Sequence, residues 1–432
     1  MVMNQKLLLL FAFTLILETQ CIAQNFEFDN GHWYQNGHFI KKTVYSVSGS
    51  FSFVKPPVVD SIIDLKGQYC IPPFSDAHTH NLDYLYGLKE MINQYFKEGV
   101  FYVQVLGNHG KTVQSVRKVL VKENKVDVTY ANGLLTATYG HGFYPYEPLA
   151  MGIYSPYLQF KFQDSIKKSR IVENDAYYFL DNIEDVDKKW PIIMQYRPDH
   201  LKICLLDAVN YQEKRKAEKM ESYGLSPEVA AYVVKKAHAS GLRVFAHIET
   251  ADDARLCANI GVDVLAHLPG YSWNGLQETA SKFCMTKQDA RLFKRKGLSV
   301  IPTFNIDDTN EYDDKGTAII HPERHSAVFS YKKNALRMLL KNGVQIALGS
   351  DNYGKTAAIE IDSLIANNVF SNRELLDVYC QQTAKQIFPL RKIGEIKEGY
   401  ESNFLVLENS PLMDISSIKK IALRVRRGVI VK

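Results

Sequence analysis

Apolar and polar residues alternate with two different periods along this chain. Residues 26–73 follow a short, two-residue rhythm. The run NGHFIKKTVYSVSGSFSFV carries an Asn-Gly turn signal, and SIIDLKGQYCIPP predicts a second hairpin. Beyond residue 80 the period lengthens. YLYGLKEMINQYFKEG predicts an amphipathic helix closed by Gly99, VFYVQVLG a buried strand, KTVQSVRKVLVKEN a helix and VDVTYANGLLTA a strand. Residues 140–199 interrupt this alternation. They are rich in Tyr, Phe, Pro and Asp and predict one helix near 181–195. An excursion of this length inside an alternating chain implies a functional lid or a subdomain.

The alternation then resumes. HLKICLL, LRVFAHI, VDVLAHL, LSVIPTF and VQIALGSD read as strands. SPEVAAYVVKKAHASG, ADDARLCANIG, TKQDARLFKRKG and RHSAVFSYKKNALRMLLKNG read as helices, with Ser226 as an N-cap and Pro227 at the first helical position. Counting from the segment around residues 74–81, this makes eight strand candidates. The prediction is an α/β fold, a TIM-like (β/α)8 barrel rather than an open doubly wound sheet, because SDAHTH after the first strand is not a glycine-rich phosphate turn. The tail returns to strands in GEIKEGYESNFLVLE and IALRVRRGVIVK. These are expected to pair with the N-terminal strands in a small β-sandwich. The predicted organisation is a signal peptide at 1–23, the N-terminal part of the sandwich at 24–73, the barrel at 74–387 with its insertion at about 140–199, and the C-terminal part of the sandwich at 388–432.

Composition narrows the partners. A net charge of +5 over 432 residues, without a long Lys/Arg run, argues against a nucleic-acid partner. The start, MVMNQK followed by LLLLFAFTLIL and ETQCIA, reads as a secretory signal cleaved after Ala23, and a secreted or periplasmic location is expected. No later segment is apolar enough to span a membrane. Cleavage would leave Cys70, Cys204, Cys257, Cys284 and Cys380, an odd and scattered set that is no disulfide framework. The number of chains per molecule stays open, a homo-oligomer included.

The chemistry sits at strand ends. In FSDAHTHN, His78 and His80 are two apart and so share one face of a strand. Lys202, His247, His267 and Asp351 each follow an apolar run at a comparable strand end, where packing alone would favour Val or Ile. One such histidine is more often a satisfied core residue than a ligand. Four histidines and a carboxylate at one barrel mouth instead suit a divalent metal, one or two Zn2+ per chain. An ammonium at Lys202 beside such cations is disfavoured. Lys202 is therefore outside the metal shell, or carboxylated by CO2 to a bridging anion, or a lysine that snorkels from a strand end.

IIDLKGQYCIPPFSDAHTHN, followed by Lys202, His247, His267 and Asp351, resembles the amidohydrolase superfamily, in the imidazolonepropionase-like and prolidase-like branch. The resemblance extends through TAKQIFPLRKIGEIKEGYESNFLVLENSPL and covers nearly all of the chain after the leader. Pro73 and Asn403 depart from the family's usual Gly and Asp. The resemblance implies that His78, His80 and Asp351 hold one metal, that His247 and His267 hold the second, and that carboxylated Lys202 bridges them. It also implies a metal-activated water with Asp351 as proton shuttle. His141, in TATYGHGFY, is the candidate contact to the substrate carbonyl or oxyanion, and Tyr139 is a further substrate-binding candidate.

The function expected is an exported metal-dependent hydrolase of carbon–nitrogen bonds in a small-molecule substrate, a dipeptide or N-acyl amino acid. A cyclic amide would call for a small closed pocket, whereas a dipeptidase needs a cation for the C-terminal carboxylate. Deamination uses the same apparatus. A non-catalytic metal-binding barrel would be marked by loss of Asp351 or of an HxH histidine, and all three are present.

Overall fold

The Asn-Gly signal forms the turn that it predicts. Phe26–Gln35 and His38–Val47 pair antiparallel, with Asn36 and Gly37 at φ of 51° and 83°. A type I′ hairpin turn needs two such left-handed positions. These come from a computed structural model, which describes residues 24–217, 220–306, 311–312, 318–319 and 321–431. The leader read at 1–23 lies outside the described residues.

The second expected hairpin does not form. Ser61–Asp64 and Tyr69–Ile71 both run parallel to Phe26–Gln35, along the same edge. Leu65 N donates to Asp29 O and His32 N to Gln68 O, so the ladder continues across Lys66–Gly67 instead of reversing there. The burial of Leu65 beside Trp33 holds the chain in that direction.

Phe404–Leu407 then pairs antiparallel with Tyr69–Ile71, and Ile421–Arg426 and Val429–Ile430 extend the edge. The two flanks of the chain thus join in one eight-stranded sheet. Its far strand, Ser50–Ser52, returns to the C-terminal segment. The Phe51 and Phe404 rings lie 5.9 Å apart, and Ser46 Oγ lies 2.6 Å from Ser402 Oγ. One sheet rolls around an aromatic core of Phe28, Trp33, Phe51 and Phe404, where a two-sheet sandwich was expected. Asn403 ties this core to the rest of the chain through Tyr102 OH at 2.8 Å.

The central strands are parallel, and the protein is α/β. Phe74–Thr79, Val100–Val105 and Asp127–Tyr130 form one sheet. Tyr177–Phe179, Leu134–Thr136, Leu201–Cys204, Val244–His247, Val264–Leu265 and Ser299–Val300 form another, in that order. The single strand expected over 126–137 is broken at Asn132 and Gly133, whose φ values are 59° and 98°. VQIALGSD forms no regular strand. It is tied in by the Val300–Ile346 bridge and by two 2.8 Å bonds, Ala77 N to Leu348 O and Asp351 N to His78 O. The chain passes His78 so closely that a Cβ on Gly349 would lie 2.3 Å from His78 N, which leaves no room for an ordinary pleated partner.

Helices cover these strands largely where the apolar period places them. Pro227–Ala239 is capped by Ser226, which accepts from Val229 N at 3.2 Å, and Lys287–Lys296 starts with a Thr286/Asp289 capping box. The period misses Ala358–Ala366, because its inner face carries a fully buried Glu360 that accepts from Phe304 N and Asn305 N.

The insertion is built on a carboxylate. Its short helices Glu147–Ala150, Pro156–Lys161 and Gln163–Lys168 precede an unpredicted strand, Tyr177–Phe179, while helix Ile183–Gln195 lies where expected. Fully buried Glu147 accepts from Ile171 N and Tyr177 OH at 2.6 Å each, from Val172 N at 3.3 Å and from Ser169 Oγ. Glu147→Ala leaves these donors buried without an acceptor. We expect it to cost about 3 kcal/mol, read as a lowered Tm and as faster amide exchange at Ile171 and Val172.

Candidate active site

The C-terminal ends of the parallel strands converge on one cavity of about 240 Å3. Its lining includes His78, His80, His141, Lys202, His247, His267 and Asp351. Six of these seven are the predicted ligands and the seventh is the predicted substrate contact. Leu106, Leu134, Pro145, Tyr146, Tyr271, Tyr353 and Cys204 complete the wall. Each strand delivers its residue by the alternation of strand side chains, and Asp351 arrives on a left-handed residue (φ 50°) just after the close passage at Gly349.

Three of the histidines are held in one tautomer. His78 Nδ1 lies 3.0 Å from Ala266 O, and His80 Nδ1 lies 3.1 Å from Gly107 O. A carbonyl only accepts, so both Nδ1 atoms carry the proton. His267 Nδ1 lies 2.9 Å from Thr303 Oγ1, whose own hydrogen goes to Pro302 O at 2.8 Å. His267 is therefore also protonated at Nδ1. All three Nε2 atoms turn to Asp351, at 3.1 Å (His78) and 2.9 Å (His80) from Oδ1 and 3.9 Å (His267) from Oδ2.

This arrangement asks for a cation. An unprotonated Nε2 facing a carboxylate sets lone pair against lone pair. Protonating it instead makes a buried imidazolium, which burial opposes: it pulls His78 down to about 4 and holds His247 and His267 well below the usual imidazole range. Burial would raise the Asp351 carboxyl, but His78 and His80 hold it well below its ordinary value. Among the described residues His247 Nε2 is buried without a hydrogen-bond partner. Nδ1 tied off and Nε2 turned inward is the arrangement of metal-binding histidines, so the donor set fits a divalent metal. The tightest group is His78, His267 and Asp351, whose ligand atoms all lie within 4.8 Å of one another. His267 lies close to both His78 and His247, with ring centroids 5.1 and 4.6 Å apart.

Lys202 is buried beside this group, and burial pulls its ammonium down to about 8 against the opposing pull of Asp351. Cys204, two residues on, also reaches the lining, and burial raises its thiol to about 12.

His141 lies face to face with His247, with centroids 3.9 Å apart and planes at 24°. Its Nδ1 lies 2.9 Å from Glu221 Oε2. Burial would lower this imidazole, but the Glu221 bond outweighs it and the pKa is raised. Glu221 also accepts from Gly142 N at 3.3 Å and Tyr144 N at 2.8 Å, so one carboxylate shapes the whole turn that presents His141. Sequence reading missed Glu221 and Thr303, because each acts on a histidine far away along the chain. Tyr139 is a correction. It does not appear in the cavity lining. With φ at 62° it packs edge-on to Phe143 and Phe179, under the Arg170 guanidinium.

With this geometry established, comparison with known proteins is decisive for the family. Residues 211–431, just over half of the chain, match the amidohydrolase family. The chain belongs to that family. This amidohydrolase is thus a hydrolase acting on carbon–nitrogen bonds, from a family that is generally metal-dependent. The HxH pair lies before the matched segment, so the residues that carried the sequence resemblance and those that the family match covers are partly separate. Among solved structures, the amidohydrolase is similar to a Xaa-Pro dipeptidase with bound methionine (TM-score 0.69, 16% identity, covering 95% of this chain and 100% of that one). It is also similar to A. niger ochratoxinase (0.69, 17%, 95% and 96%) and to molinate hydrolase (0.66, 14%, 95% and 95%). At these identities the likeness concerns the fold, a TIM-like barrel with an additional domain. No curated protein matches the chain.

Proposed function

We propose that this amidohydrolase is an exported, zinc-dependent enzyme that cleaves an amide bond of a small molecule. The observation that carries the reading is the convergence of three Nε2 atoms, each with its Nδ1 tied off, on Asp351. In this reading the two parallel sheets are arcs of one (β/α)8 barrel. His78, His80, His247, His267, Asp351 and a carboxylated Lys202 would hold one or two ions. A bound divalent ion supplies Lewis acidity and a nucleophile near neutral pH.

The chain's own residues do the rest. Asp351 accepts a proton and delivers it to the leaving nitrogen. His141, fixed by Glu221, presents its remaining ring nitrogen to the substrate carbonyl. Tyr146, Tyr271 and Tyr353, with Leu106, Leu134 and Pro145, wall the cavity and exclude water.

A dipeptide or N-acyl amino acid is the first substrate class, a choice favoured by the likeness to a Xaa-Pro dipeptidase. The cavity volume favours a second, a compact cyclic amide, because about 240 Å3 falls below the roughly 300–1,000 Å3 of most ligand pockets. The test is chelator dialysis followed by zinc repletion, assayed on Xaa-Pro dipeptides, N-acyl amino acids and five-membered cyclic amides. Hydrolysis lost with the metal and regained with zinc is expected. A zinc-loaded chain inert on all three classes would sink the reading.

A further inference from the structure

A second cavity lies on the N-terminal side of the strands that bear Lys202 and His247. His200 and Phe245, two residues earlier in each, stand in its wall. Its volume is about 390 Å3, inside the roughly 300–1,000 Å3 of most ligand pockets, and it shares no lining residue with the catalytic cavity. Gln104, Thr129 and His200 line it, and each is more than nine-tenths buried. Gln104 Oε1, Thr129 Oγ1 and His200 Nε2 have no hydrogen-bond partner among the described residues. Strand pairing brings the three together. Gln104 and Thr129 are register partners in adjacent parallel strands, so both side chains leave one face, and His200 Nδ1 lies 3.5 Å from Gln104 Nε2. The large majority of buried polar atoms in folded proteins are paired, so three unpaired ones around one cavity mark a place for a group that pairs them.

The same wall holds a cation without a counter-ion. Partly buried Arg243 donates to Gln386 O at 2.6 Å and makes no ion pair among the described residues. Asp263, the carboxylate that acts on it, is taken up by His238 Nε2 at 3.0 Å and Val244 N at 2.7 Å. The other charges in the wall are compensated, Asp199 by Arg117 at 2.6 Å and Arg391 by Asp127 and Glu401 at 2.9 and 2.7 Å. Leu201 N donates to Arg243 O at 2.9 Å, which sets His200 beside this cation. Phe245, Ile387, Phe388 and Leu390 supply an apolar side.

We infer that this cavity binds a free α-amino acid with an apolar side chain. The Gln104 amide nitrogen only donates, so His200 Nδ1 accepts and His200 Nε2 carries the proton. The amino acid's carboxylate takes that N–H together with the guanidinium donors that Arg243 has left. Its ammonium, which only donates, satisfies Gln104 Oε1 and Thr129 Oγ1. Its side chain lies against Phe245 and Phe388. A plain carboxylate would leave Gln104 Oε1 unpaired, and a plain amine would leave Arg243 without its counter-ion. This site is separate from amide cleavage, and the inference does not depend on which substrate the catalytic cavity takes.

Isothermal titration calorimetry of the metal-replete full chain with leucine and phenylalanine tests this. Isocaproate, which lacks the ammonium, and isoamylamine, which lacks the carboxylate, are the controls. Arg243→Gln removes the charge. Thr129→Val removes a hydroxyl that no described protein atom uses, and it carries the test if Arg243→Gln does not fold. The expected result is one site per chain that persists in Asp351→Asn. Arg243→Gln weakens it at least about 10-fold, Thr129→Val weakens it about 3-fold, and both controls bind at least about 10-fold more weakly than leucine. Three results would overturn the inference: no binding of either amino acid, which leaves the cavity to water alone, binding indifferent to both substitutions, or isocaproate bound as tightly as leucine.

Discussion

Asp351→Asn lowers kcat by about three orders of magnitude and releases bound metal. The size follows from two losses at one residue. Removing a positioned proton carrier alone costs typically about 10²–10⁴-fold. Asp351 is also the one carboxylate on which His78, His80 and His267 converge, at 3.1, 2.9 and 3.9 Å. Asparagine keeps the volume and one carbonyl oxygen, but it has no charge and its amide nitrogen presents hydrogens to the inward Nε2 atoms. Metal content by mass spectrometry and kcat on a shared substrate check this together, with circular dichroism to confirm the fold. A variant that retains both metal and turnover would remove Asp351 from the centre of the reaction.

Lys202→Ala is expected to lose at least half of the metal bound per chain and most of the activity. The side chain is buried on a strand that faces the ligand cluster, where an ammonium beside a divalent cation is electrostatically unfavourable. A carbamate formed on Nζ turns that cation into an anion able to bridge two ions. Protein grown with 13C-labelled CO2 should show a carbamate carbon signal that Lys202→Ala removes. One metal per chain, unchanged by the substitution, would instead leave a mononuclear site with Lys202 outside it.

The site was unusually legible because its polar residues obey a local rule. His78 and His80 form an HxH pair on one strand, and Lys202, His247, His267 and Asp351 stand in later strand-like segments, where a polar residue is conspicuous against the Val and Ile that packing would choose. His141 was legible more weakly, through its place in a glycine-flanked turn. Tyr139, from the same turn, shows the limit. A single residue, Gly140, separates Tyr139 from His141, yet His141 enters the cavity and Tyr139 joins the cluster of Phe143 and Phe179, a choice made by a left-handed φ that tyrosine does not advertise. The second N-terminal hairpin failed for a similar reason. Lys66-Gly67 looks like a reversal, but the buried Leu65 keeps the chain on its course.

By itself the sequence determined the β/α alternation, the helix starts at Ser226 and Thr286, and the set of metal-type side chains, since each depends on neighbours a few residues away. Only the tertiary structure decided the tautomers, which come from Ala266 O, Gly107 O and Thr303. It also decided the approach of His267 to both His78 and His247, the support of His141 by Glu221, and the rolled single sheet that joins the two ends of the chain. All of these join residues between about 20 and 350 positions apart. No periodicity records such a meeting, because it arises when the strands pack side by side.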